Sequence, residues 1–597
     1  MRDVGYYPYP AVNYLSDGGA IFVYQDRPGE EDGIYIQKAD AAGNLTLEPN
    51  GQPVFEVLGG GCYNLELVKL TTDQVLVVYG DSRDCSCSRL YYQIFDFNGN
   101  AILAENGIPL TPVDHDFEQH SVTATSDGGA VIVWVDDQGS DEKGFAQKVD
   151  HDGNILWHPD GIEMTSWDDL QMLPQVCSDG AGGAYIGFHS YNGLSCTDSD
   201  IYIQRIAADG SLPWGSTART VTYAATSKHL YGIVEDGAGG AILTWTWELS
   251  WPPQNYDIYA ARYTSDGDSA WVRIISDLPC DQRHSTIIPS RDGGAVIAWE
   301  DARFGQNHMD IFAQKIDNEG NFIWVEDGMP VRVFEDESSE HVKMVEDDDG
   351  YLYFVFEDGR GIGYRSLWCM RLTPDGRQMF HDQGMVVSTH SCYHTIYNIA
   401  GDDEGGVIVV WDDDDQGQYN RDIYVTHMNT EGLPASPVWQ PEGNPVGGGF
   451  GYRNWSNAIS DGEGGVFITW SGSAALLPTT VSPTYDAYLS IQRMNENVTS
   501  IEPLEISGIP AEFELHPPYP NPFNHRSMVS FSLARGGMVR LKVFDVTGRE
   551  VRVLHATPLQ AGYHEVVWDA GDSASGVYFV RLEAGQNQQV KKMLLVK

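Results

Sequence analysis

Basic residues are scarce in this 597-residue chain, and their scarcity limits the partners it can have. Lys and Arg number 36 against 85 Asp and Glu, so the formal charge is −49 at pH 7. Such a charge repels nucleic-acid phosphates and anionic lipid headgroups. Long apolar runs are also missing, since the longest, such as 407–411, fall far short of the ~18–20 residues of a membrane-spanning helix. We therefore expect no nucleic-acid partner and no transmembrane segment.

Cysteine is sparse, with eight residues that follow no regular spacing. An even number in a secreted chain permits disulfides, but spacing alone does not assign their pairing. Cys177 and Cys196 flank one predicted hairpin and are candidates for a bridge across it. Cys85 and Cys87 lack neighbouring histidines and are a weak zinc motif.

A repeat of about 56 residues fills most of the chain. Each copy has an Asp-Gly-rich turn followed by a short apolar strand that ends at an aromatic residue. Glycine supplies the positive φ of a tight hairpin at this turn. We expect these aromatics to pack between repeats rather than to form a ligand cage. The recurring aromatics are Tyr24, Tyr79, Trp134, Phe188, Trp245, Trp299, Phe356, Trp411 and Trp470.

Every repeat has room for four antiparallel strands. The third strand carries a second aromatic, and another glycine turn leads to a fourth short strand, for example 321–324. Four such strands make one blade of a propeller. The sequence therefore predicts an all-β chain with a β-propeller of about nine four-stranded repeats in residues 1–500, with an open stack of the same units as the alternative.

Several polar and aromatic residues of the repeats are candidate ligand-binding groups. Five histidines precede the hairpin turn by seven to nine residues, and the innermost strand of each blade would gather them at one end of a central channel. They either satisfy neighbouring backbone groups or form a ring that holds a metal or, more readily, an anion. Trp247 and Trp251 lie in a variable loop and could stack on sugars. The histidines are His120, His229, His284, His341 and His394.

Acidic clusters raise the question of a cofactor. Asp150–Asn154 and Asp412–Asp415 suggest calcium, but their spacing departs from the helix-loop-helix calcium pattern. An Asp after the recurring aromatic is followed by an Arg in four repeats, for example Asp301 with Arg303, which indicates a loop-anchoring ion pair. We expect no cofactor, with calcium as the alternative.

The period stops near residue 500, and residues 501–512 are expected to be a linker. Residues 513–597 contain alternating short strands of a small Ig-like β-sandwich. Ordered motifs here, from 519–524 to 591–597, resemble the type A C-terminal sorting domain of type IX secretion cargo. The motif residues are Tyr519, Pro520, Asn521, Pro522, Asp545, Gly548, Arg549, Gly562, Trp568, Gly576, Tyr578 and Lys591.

This resemblance implies export through the type IX machinery of a bacterium, and a secreted or outer-membrane-surface location. Such cargo needs a signal peptide, but residues 1–7 have no apolar segment of that kind. We therefore expect that the chain begins after processing or that its front is truncated. The repeats resemble secreted bacterial propeller proteins, and Thr125, Asp127 and Gly129 resemble the start of the sialidase Asp-box.

Three functions remain open from the sequence. A non-catalytic binding or adhesion module for extracellular glycan or protein ligands is favoured, because variable loops on a rigid repeat commonly carry binding. A polysaccharide-active hydrolase with a sialidase-like propeller is the first alternative, although no Gly-x-Ser-x-Gly elbow or His-Glu-x-x-His motif occurs. A purely structural surface component is the second alternative.

Overall fold

The computed structural model describes most of the chain. The described residues are 11–26, 33–47, 51–56, 62–71, 74–82, 89–112, 116–137, 142–167, 170–191, 199–222, 226–250, 255–305, 308–333, 338–359, 365–380, 384–392, 397–402, 404–413, 422–436, 439–440, 443–446, 451–460, 465–474, 486–494, 504–506, 513–516, 518, 521, 523, 526–533, 537–559, 562–571, 573–585 and 587–596. They contain no helix, and hence none long and apolar enough to cross a membrane.

Four-stranded antiparallel sheets build the first 506 residues, nine of them in the described part, each with its strands in chain order. We number them sheets 1 to 9. Sheets 1 to 3 contain β1 (Ala11–Tyr14), β2 (Ala20–Asp26), β3 (Gly33–Ala39), β4 (Gln52–Glu56), β5 (Cys62–Thr71), β6 (Gln74–Asp81), β7 (Arg89–Asp96), β8 (Ile108–Pro109), β9 (Asp116–Ala124), β10 (Ala130–Asp137), β11 (Glu142–Val149) and β12 (Ile162–Glu163).

The middle sheets repeat this arrangement. Sheets 4 to 6 contain β13 (Leu170–Ser178), β14 (Ala184–Tyr191), β15 (Ser199–Ile206), β16 (Arg219–Thr220), β17 (Lys228–Glu235), β18 (Ala241–Ser250), β19 (Asn255–Tyr263), β20 (Ser269–Ser276), β21 (Gln282–Pro289), β22 (Ala295–Asp301), β23 (Asp310–Ile316) and β24 (Met329–Arg332). Sheets 7 to 9 contain β25 (Ser339–Glu346), β26 (Leu352–Asp358), β27 (Arg365–Leu372), β28 (Met385–Cys392), β29 (Tyr397–Gly401), β30 (Val407–Asp413), β31 (Asp422–Met428), β32 (Asn444–Pro445), β33 (Gly451–Ser460), β34 (Val466–Ala474), β35 (Asp486–Met494) and β36 (Leu504–Ile506).

The sheets pack face to face around a common inner edge. First strands of successive sheets are in contact from β1 through β29, so the first strand is the inner one. Apolar clusters fill the spaces between neighbouring sheets, for example Val77 and Tyr79 against Val23. The first and ninth sheets also meet, because the rings of Phe22 and Phe467 lie 6.2 Å apart.

The recurring aromatics are structural, as the sequence predicts. Eight of the nine are buried, and seven stack on the third-strand aromatic of their own sheet, as Trp245 does on Tyr259 at 5.6 Å. The side chain of Trp470 lies outside the described residues. Burial of large rings on both sheet faces supplies much of the apolar stabilisation.

The fourth strand lies later in the repeat than the sequence suggests. In sheet 6 it is β24, whereas Phe322 forms only an isolated bridge with Ile316. Residues 321–324 instead place Trp324 against the next sheet, where its indole N–H donates to the Pro374 carbonyl oxygen at 3.0 Å. A contact with the next repeat therefore displaces the edge strand.

The candidate disulfide between Cys177 and Cys196 is absent, because Cys177 is a free cysteine in the structure. It pairs with Tyr185 in the ladder of sheet 4 and packs against the apolar cluster between sheets 4 and 5. Burial raises the pKa of its thiol. Cys196, Cys85 and Cys87 lie outside the described residues.

The chain divides into two compact units. The repeat unit spans 1–446, 453–471 and 492–502, and the C-terminal unit spans 447–452, 472–491 and 503–597. In the latter, one three-stranded sheet and one sheet of five strands enclose a single apolar core. Its strands are β37 (Glu514–Leu515), β38 (Arg526–Leu533), β39 (Gly537–Asp545), β40 (Glu550–His555), β41 (Pro558–Leu559), β42 (Gly562–Asp569), β43 (Gly576–Ala584) and β44 (Asn587–Leu595).

Candidate functional site

A β-bulge in the inner strand shapes one end of the repeat unit. In sheets 2, 4, 6 and 7, two residues of the first strand lie opposite the recurring aromatic. The first of these two residues has a positive φ, which is uncommon for side chains with a Cβ but several-fold enriched in Asn and His. These residues are Asn64, Leu173, His284 and His341, with φ of 52°, 52°, 49° and 59°. His284 and His341 thus occupy equivalent places in neighbouring sheets.

The other predicted histidines occupy different places, which corrects their assumed equivalence. His229 pairs with Thr246, one residue beyond the recurring aromatic, and so corresponds to Arg283 rather than to His284. His120 lies directly opposite Trp134 with its side chain buried. A shift of one residue in a strand turns the side chain to the other face. His394 lies outside the described residues.

Each bulge histidine caps a buried carboxylate of its own sheet. His284 Nδ1 lies 2.9 Å from Glu300 Oε2, and its side chain is 50% exposed while that of Glu300 is 1% exposed. His341 Nδ1 lies 3.2 Å from Glu357 Oε2, with exposures of 58% and 5%. The structure therefore contains two histidine–carboxylate pairs whose rings face solvent.

One carboxylate joins the two pairs. The backbone N–H of His341 donates to Glu300 Oε1 at 2.9 Å, while Glu300 Oε2 contacts His284. Burial alone would oppose ionisation of Glu300, but its hydrogen bonds to His284 and to the His341 amide bring its pKa below the usual value. The hydrogen bond to Glu357 raises the pKa of His341.

Two arginines complete this group, which we call the bulge rim and define as Arg283, His284, Glu300, His341, Glu357, Glu340 and Arg365. Arg283 Nε lies 3.3 Å from Glu300 Oε2. Arg365 contacts Glu340 at 2.7 Å and Glu357 at 3.2 Å. The edge of the Tyr231 ring packs on His284, with 6.1 Å between ring centres. The rim thus places aromatic, imidazole and guanidinium groups side by side.

Sequence reasoning missed the acceptors beneath the rim. Glu300 and Glu357 directly follow the recurring aromatic, and His189 holds the same place in sheet 4. His189 Nε2 accepts the Leu230 N–H of the next sheet at 3.1 Å. Burial lowers the pKa of His189 to about 4, so the ring is neutral at pH 7. The sequence signal that could have identified these acceptors is the polar residue that directly follows the recurring second-strand aromatic.

Another histidine–carboxylate pair lies between sheets 2 and 3, where the side chain of His120 is buried and that of Glu66 is partly exposed. His120 Nε2 is 3.6 Å from Glu66 Oε1, beyond hydrogen-bond distance. Burial lowers the pKa of His120 to about 4 and raises that of Glu66 to about 7. Both groups therefore favour their neutral forms, in contrast to Glu300 of the rim, whose pKa is lowered.

Trp247 lies in β18 and not in the predicted variable loop, and its side chain contacts neighbouring residues of the sheet. Its indole N–H donates to Thr226 Oγ1 at 2.8 Å, its ring packs on Tyr259, and Lys228 Nζ lies 5.6 Å from its centre. Lys228 in turn forms a buried ion pair with Asp200 at 2.8 Å. Trp251 lies outside the described residues, so the predicted sugar-stacking role is not tested.

Of the two acidic segments that suggested calcium, Asp150–Asn154 forms a hydrogen-bonded turn, while Asp414 and Asp415 lie outside the described residues. Asp150 Oδ1 accepts the backbone N–H groups of Asp152 and Asn154, and its Oδ2 accepts the Asn154 amide. Among the described residues, no group of three His, Cys, Asp or Glu could hold a metal ion. Calcium stays an untested alternative. The predicted loop anchor is present at Asp301, which contacts Arg303 at 2.5 Å.

The sorting motifs hold the C-terminal unit together. Asn521 accepts the Leu594 N–H and donates to the Lys592 carbonyl oxygen, both at 2.7 Å. Trp568 and Tyr578 pack in the core. Gly562, Gly576 and Lys591 lie in β42, β43 and β44. Tyr519, Pro520 and Pro522 lie outside the described residues.

The hairpin between β39 and β40 uses three further motif residues. Asp545 Oδ1 accepts the N–H groups of Thr547 and Arg549, and its Oδ2 lies 3.0 Å from Arg549 Nε. These hydrogen bonds, led by the Thr547 hydroxyl, lower the Asp545 pKa to about 2. Gly548 supplies the positive φ of the turn.

Comparison with known proteins identifies one segment. Residues 518–597 match the family of the secretion system C-terminal sorting domain. No curated protein matches the chain. Solved structures are only distantly similar. The polysaccharide lyase Uly1 is 10% identical over 60% of this chain and 88% of that chain, with a TM-score of 0.37. An α-L-arabinofuranosidase from Lactobacillus brevis is 11% identical over 44% and 92%, with a TM-score of 0.25.

PorZ, a surface component of the type IX secretion system of Porphyromonas gingivalis, is 10% identical over 98% of this chain and 92% of that chain, with a TM-score of 0.20. None of these TM-scores is high enough to carry an argument about function. The match of residues 518–597 to the sorting-domain family does carry such an argument, because it covers nearly all of the segment that contains the ordered motifs. It supports the prediction that the chain is cargo of the type IX secretion system, and hence a secreted or cell-surface protein.

Proposed function

We propose that the repeat unit of this secreted chain is a non-catalytic binding module, which takes an extracellular glycan or protein ligand at the bulge rim. The observation that carries the proposal is the pair of half-exposed imidazoles, His284 and His341, held in one orientation by buried carboxylates. Preorganised polar groups on a rigid framework bind at low entropic cost.

We also propose that the nine sheets close into one propeller and that the C-terminal sandwich is Ig-like. The serial contacts of the first strands and the Phe22–Phe467 contact support closure. A closed ring would place the bulge rim at one mouth of a central channel, where a propeller commonly receives ligands.

Binding is a better interpretation of the rim than hydrolysis. A glycosidase needs one carboxyl group to donate a proton and another to act as nucleophile or base across the sugar. Glu300 and Glu357 are buried beneath the imidazoles and engaged with Arg283 and Arg365. The side chains of Glu300 and Glu357 are only 1% and 5% exposed, so these carboxylates orient the histidines instead of facing a substrate.

The experiment is a glycan array on the full chain, with a hydrolysis screen on every glycan that binds. The test variant is His284→Asn with His341→Asn, because sheet 2 carries Asn64 at the same position and φ. The matched control is His158→Asn, an exposed imidazole 3.8 Å from the exposed Asp160. We expect binding without turnover, lost in the double variant and kept in the control. Turnover would favour the enzyme, and absence of any ligand would favour a structural component.

Export is tested separately from binding. Residues 503–597 are fused behind a signal peptide and a reporter protein in a bacterium with the type IX apparatus. We expect the reporter outside the cell, since the motifs that match the sorting family lie within this segment. A reporter that stays in the periplasm would contradict the assignment.

A further inference from the structure

The charge of the bulge rim depends on its two histidines. Arg283 and Arg365 are cationic, and Glu300, Glu357 and Glu340 are anionic. With both imidazoles neutral the rim carries a formal charge of −1, and with both protonated it carries +1. The change of sign occurs at groups that face solvent, whereas the carboxylates that balance them are buried.

Once the two imidazoles are protonated, a ligand at this surface meets hydrogen-bond donors. The Nδ1 atoms of His284 and His341 point to Glu300 and Glu357. Their Nε2 atoms have no partner among the described residues and belong to rings that are 50% and 58% exposed. A protonated imidazole presents an N–H donor at Nε2, and donors with positive charge form the stronger hydrogen bonds with anions.

The two donors belong to one site. Glu300 contacts the ring of His284 and the backbone of His341, so a single carboxylate side chain joins both residues. The left-handed backbone of both residues turns their side chains out of the strand in the same way. A ligand group held by one imidazole is therefore within reach of the other sheet.

We propose that the bulge rim binds the carboxylate or sulfate group of an acidic sugar, and that this binding strengthens as the two histidines become protonated. This inference rests on the proposed binding function. The anionic group would accept from Nε2 of His284 and His341, and the exposed part of Arg283 would add a further donor. Tyr231 beside His284 would contact the sugar ring.

The groups around each histidine set the direction of the pH dependence. His284 faces Glu300, Arg283, Tyr231 and His229. His341 faces Glu357, Glu300, Glu340 and Arg365; the hydrogen bond to Glu357 raises its pKa, so it is protonated at a higher pH than a free imidazole. Affinity for an anion therefore rises as pH falls through the range in which the imidazoles take up protons.

The test is calorimetric titration of the full chain with three probes: trigalacturonate, its methyl ester and a sulfated galactan tetrasaccharide. Measurements are made at about pH 5.5 and about pH 7.5, on either side of the imidazole pKa. Both anionic probes stay ionised at both values, because sugar carboxylates and sulfates titrate below about pH 4. We expect roughly tenfold tighter binding of an anionic probe at the lower pH, which corresponds to one charge-assisted contact.

The variants distinguish the proposal of pH-dependent anion binding from the broader proposal that the bulge rim binds a ligand. His284→Asn with His341→Asn should abolish the pH dependence, and His158→Asn should keep it. Comparison of the affinities for trigalacturonate and for the sulfated galactan tetrasaccharide shows whether the site binds a carboxylate or a sulfate. Equal binding of trigalacturonate and its ester, or equal affinity at the two pH values, overturns the anion proposal. If the double variant then loses binding to the ester, the binding function survives while the anion proposal fails. Failure of both anionic probes to bind at about pH 5.5 also overturns it.

Discussion

The repeat region and the C-terminal region handle charge in opposite ways. Residues 1–512 contain 26 Lys and Arg against 78 Asp and Glu, whereas residues 513–597 contain ten against seven. The repeats carry ion pairs into their interior, whereas the described residues of the C-terminal region include no buried charged side chain. The difference shows that a strongly acidic chain can still fold compactly where its deepest carboxylates have partners.

In the repeats, one recurring contact supplies a partner for an acidic side chain of the hairpin turn. The Asp of the first hairpin turn pairs with a basic side chain three residues after the third-strand aromatic, at 2.5 to 3.0 Å, and this side chain is at most 16% exposed. Several of these cations also donate to the next sheet, as Arg371 does to the Thr430 carbonyl oxygen. The pairs are Asp17–Lys38, Asp127–Lys148, Asp179–Arg205, Asp236–Arg262, Asp292–Lys315, Asp347–Arg371 and Asp402–His427.

Removing one buried cation should have the largest effect. Arg371→Met leaves the carboxylate of Asp347 buried without its 2.9 Å partner, and we expect the repeat unit to lose about 3–5 kcal/mol of unfolding free energy. Lys542→Met, which breaks the exposed contact with Glu550 in the C-terminal unit, should cost only about 0–1 kcal/mol.

Chemical denaturation followed by circular dichroism measures both variants. Adding Asp347→Asn to Arg371→Met should recover much of the loss, because the unpaired charge is gone. Equal losses for the buried and the exposed cation would contradict the comparison between the two regions.

The second prediction compares two glycines with similar backbone angles. Gly267 has φ +86° and a Cβ there would lie 2.7 Å from Trp214, whereas Gly548 has φ +80° and nothing within 4 Å. We expect Gly267→Ala to cost about 3 kcal/mol, from backbone strain and overpacking together, and Gly548→Ala about 1 kcal/mol, from strain alone. Denaturant midpoints of the two variants check this difference. Similar midpoint shifts would mean that the contact of the new Cβ with Trp214 does not add to the loss of stability.

The third prediction is an acid sensitivity of the repeat unit. Because the pKa of His189 is about 4 in the folded chain and about 6.5 when unfolded, the unfolded chain binds more protons between these values, and stability falls as pH falls through that window. The loss is at most about 3 kcal/mol. His189→Gln keeps an acceptor for Leu230 and should reduce the slope in thermal melts between about pH 6.5 and about pH 4, with the remainder due to groups such as His120. His555→Gln, in the C-terminal unit, is the control, and a slope that is unchanged by His189→Gln would assign it to other groups.

The smallest effect is expected in the C-terminal hairpin. Asp545 has a folded pKa of about 2, below its unfolded value, so its stabilisation is present above about pH 4 and disappears as pH falls towards about 2. Asp545→Asn should therefore reduce stability slightly at neutral pH and leave it unchanged near pH 2. Trp568 fluorescence during acid titration follows this unit. A variant equally destabilised at both pH values would show a loss of turn geometry rather than of charge.

Much of the fold was predictable because its signals are local. The hairpin glycines, the second-strand aromatics and the alternating strands lie within one repeat and follow from backbone sterics and burial. The partner of the hairpin Asp, such as Arg262 for Asp236, lies 26 residues away. The pattern within one hairpin does not identify this partner. The partner does recur at the same position, three residues after the third-strand aromatic.

The rim was only partly predictable. The histidines drew notice by their spacing, but the decisive contact joins Glu300 to the amide of His341, 41 residues along the chain. A bulge places His284 and His341 on one surface and a register difference of one residue buries His120. Neither the bulge nor the register can be read from spacing alone, because both depend on pairing with the neighbouring strand.

The sequence by itself determined the repeat length, the all-β class and the sorting motifs, since each is written in contiguous residues whose turn geometry or burial is dictated locally. The tertiary structure decided which polar groups meet. The pairing of His284 with Glu300, the link from Glu300 to His341, and the free state of Cys177 all depend on how one sheet lies against the next. Packing between sheets selects these contacts because buried charges and donors are stable only where a partner is within hydrogen-bond distance.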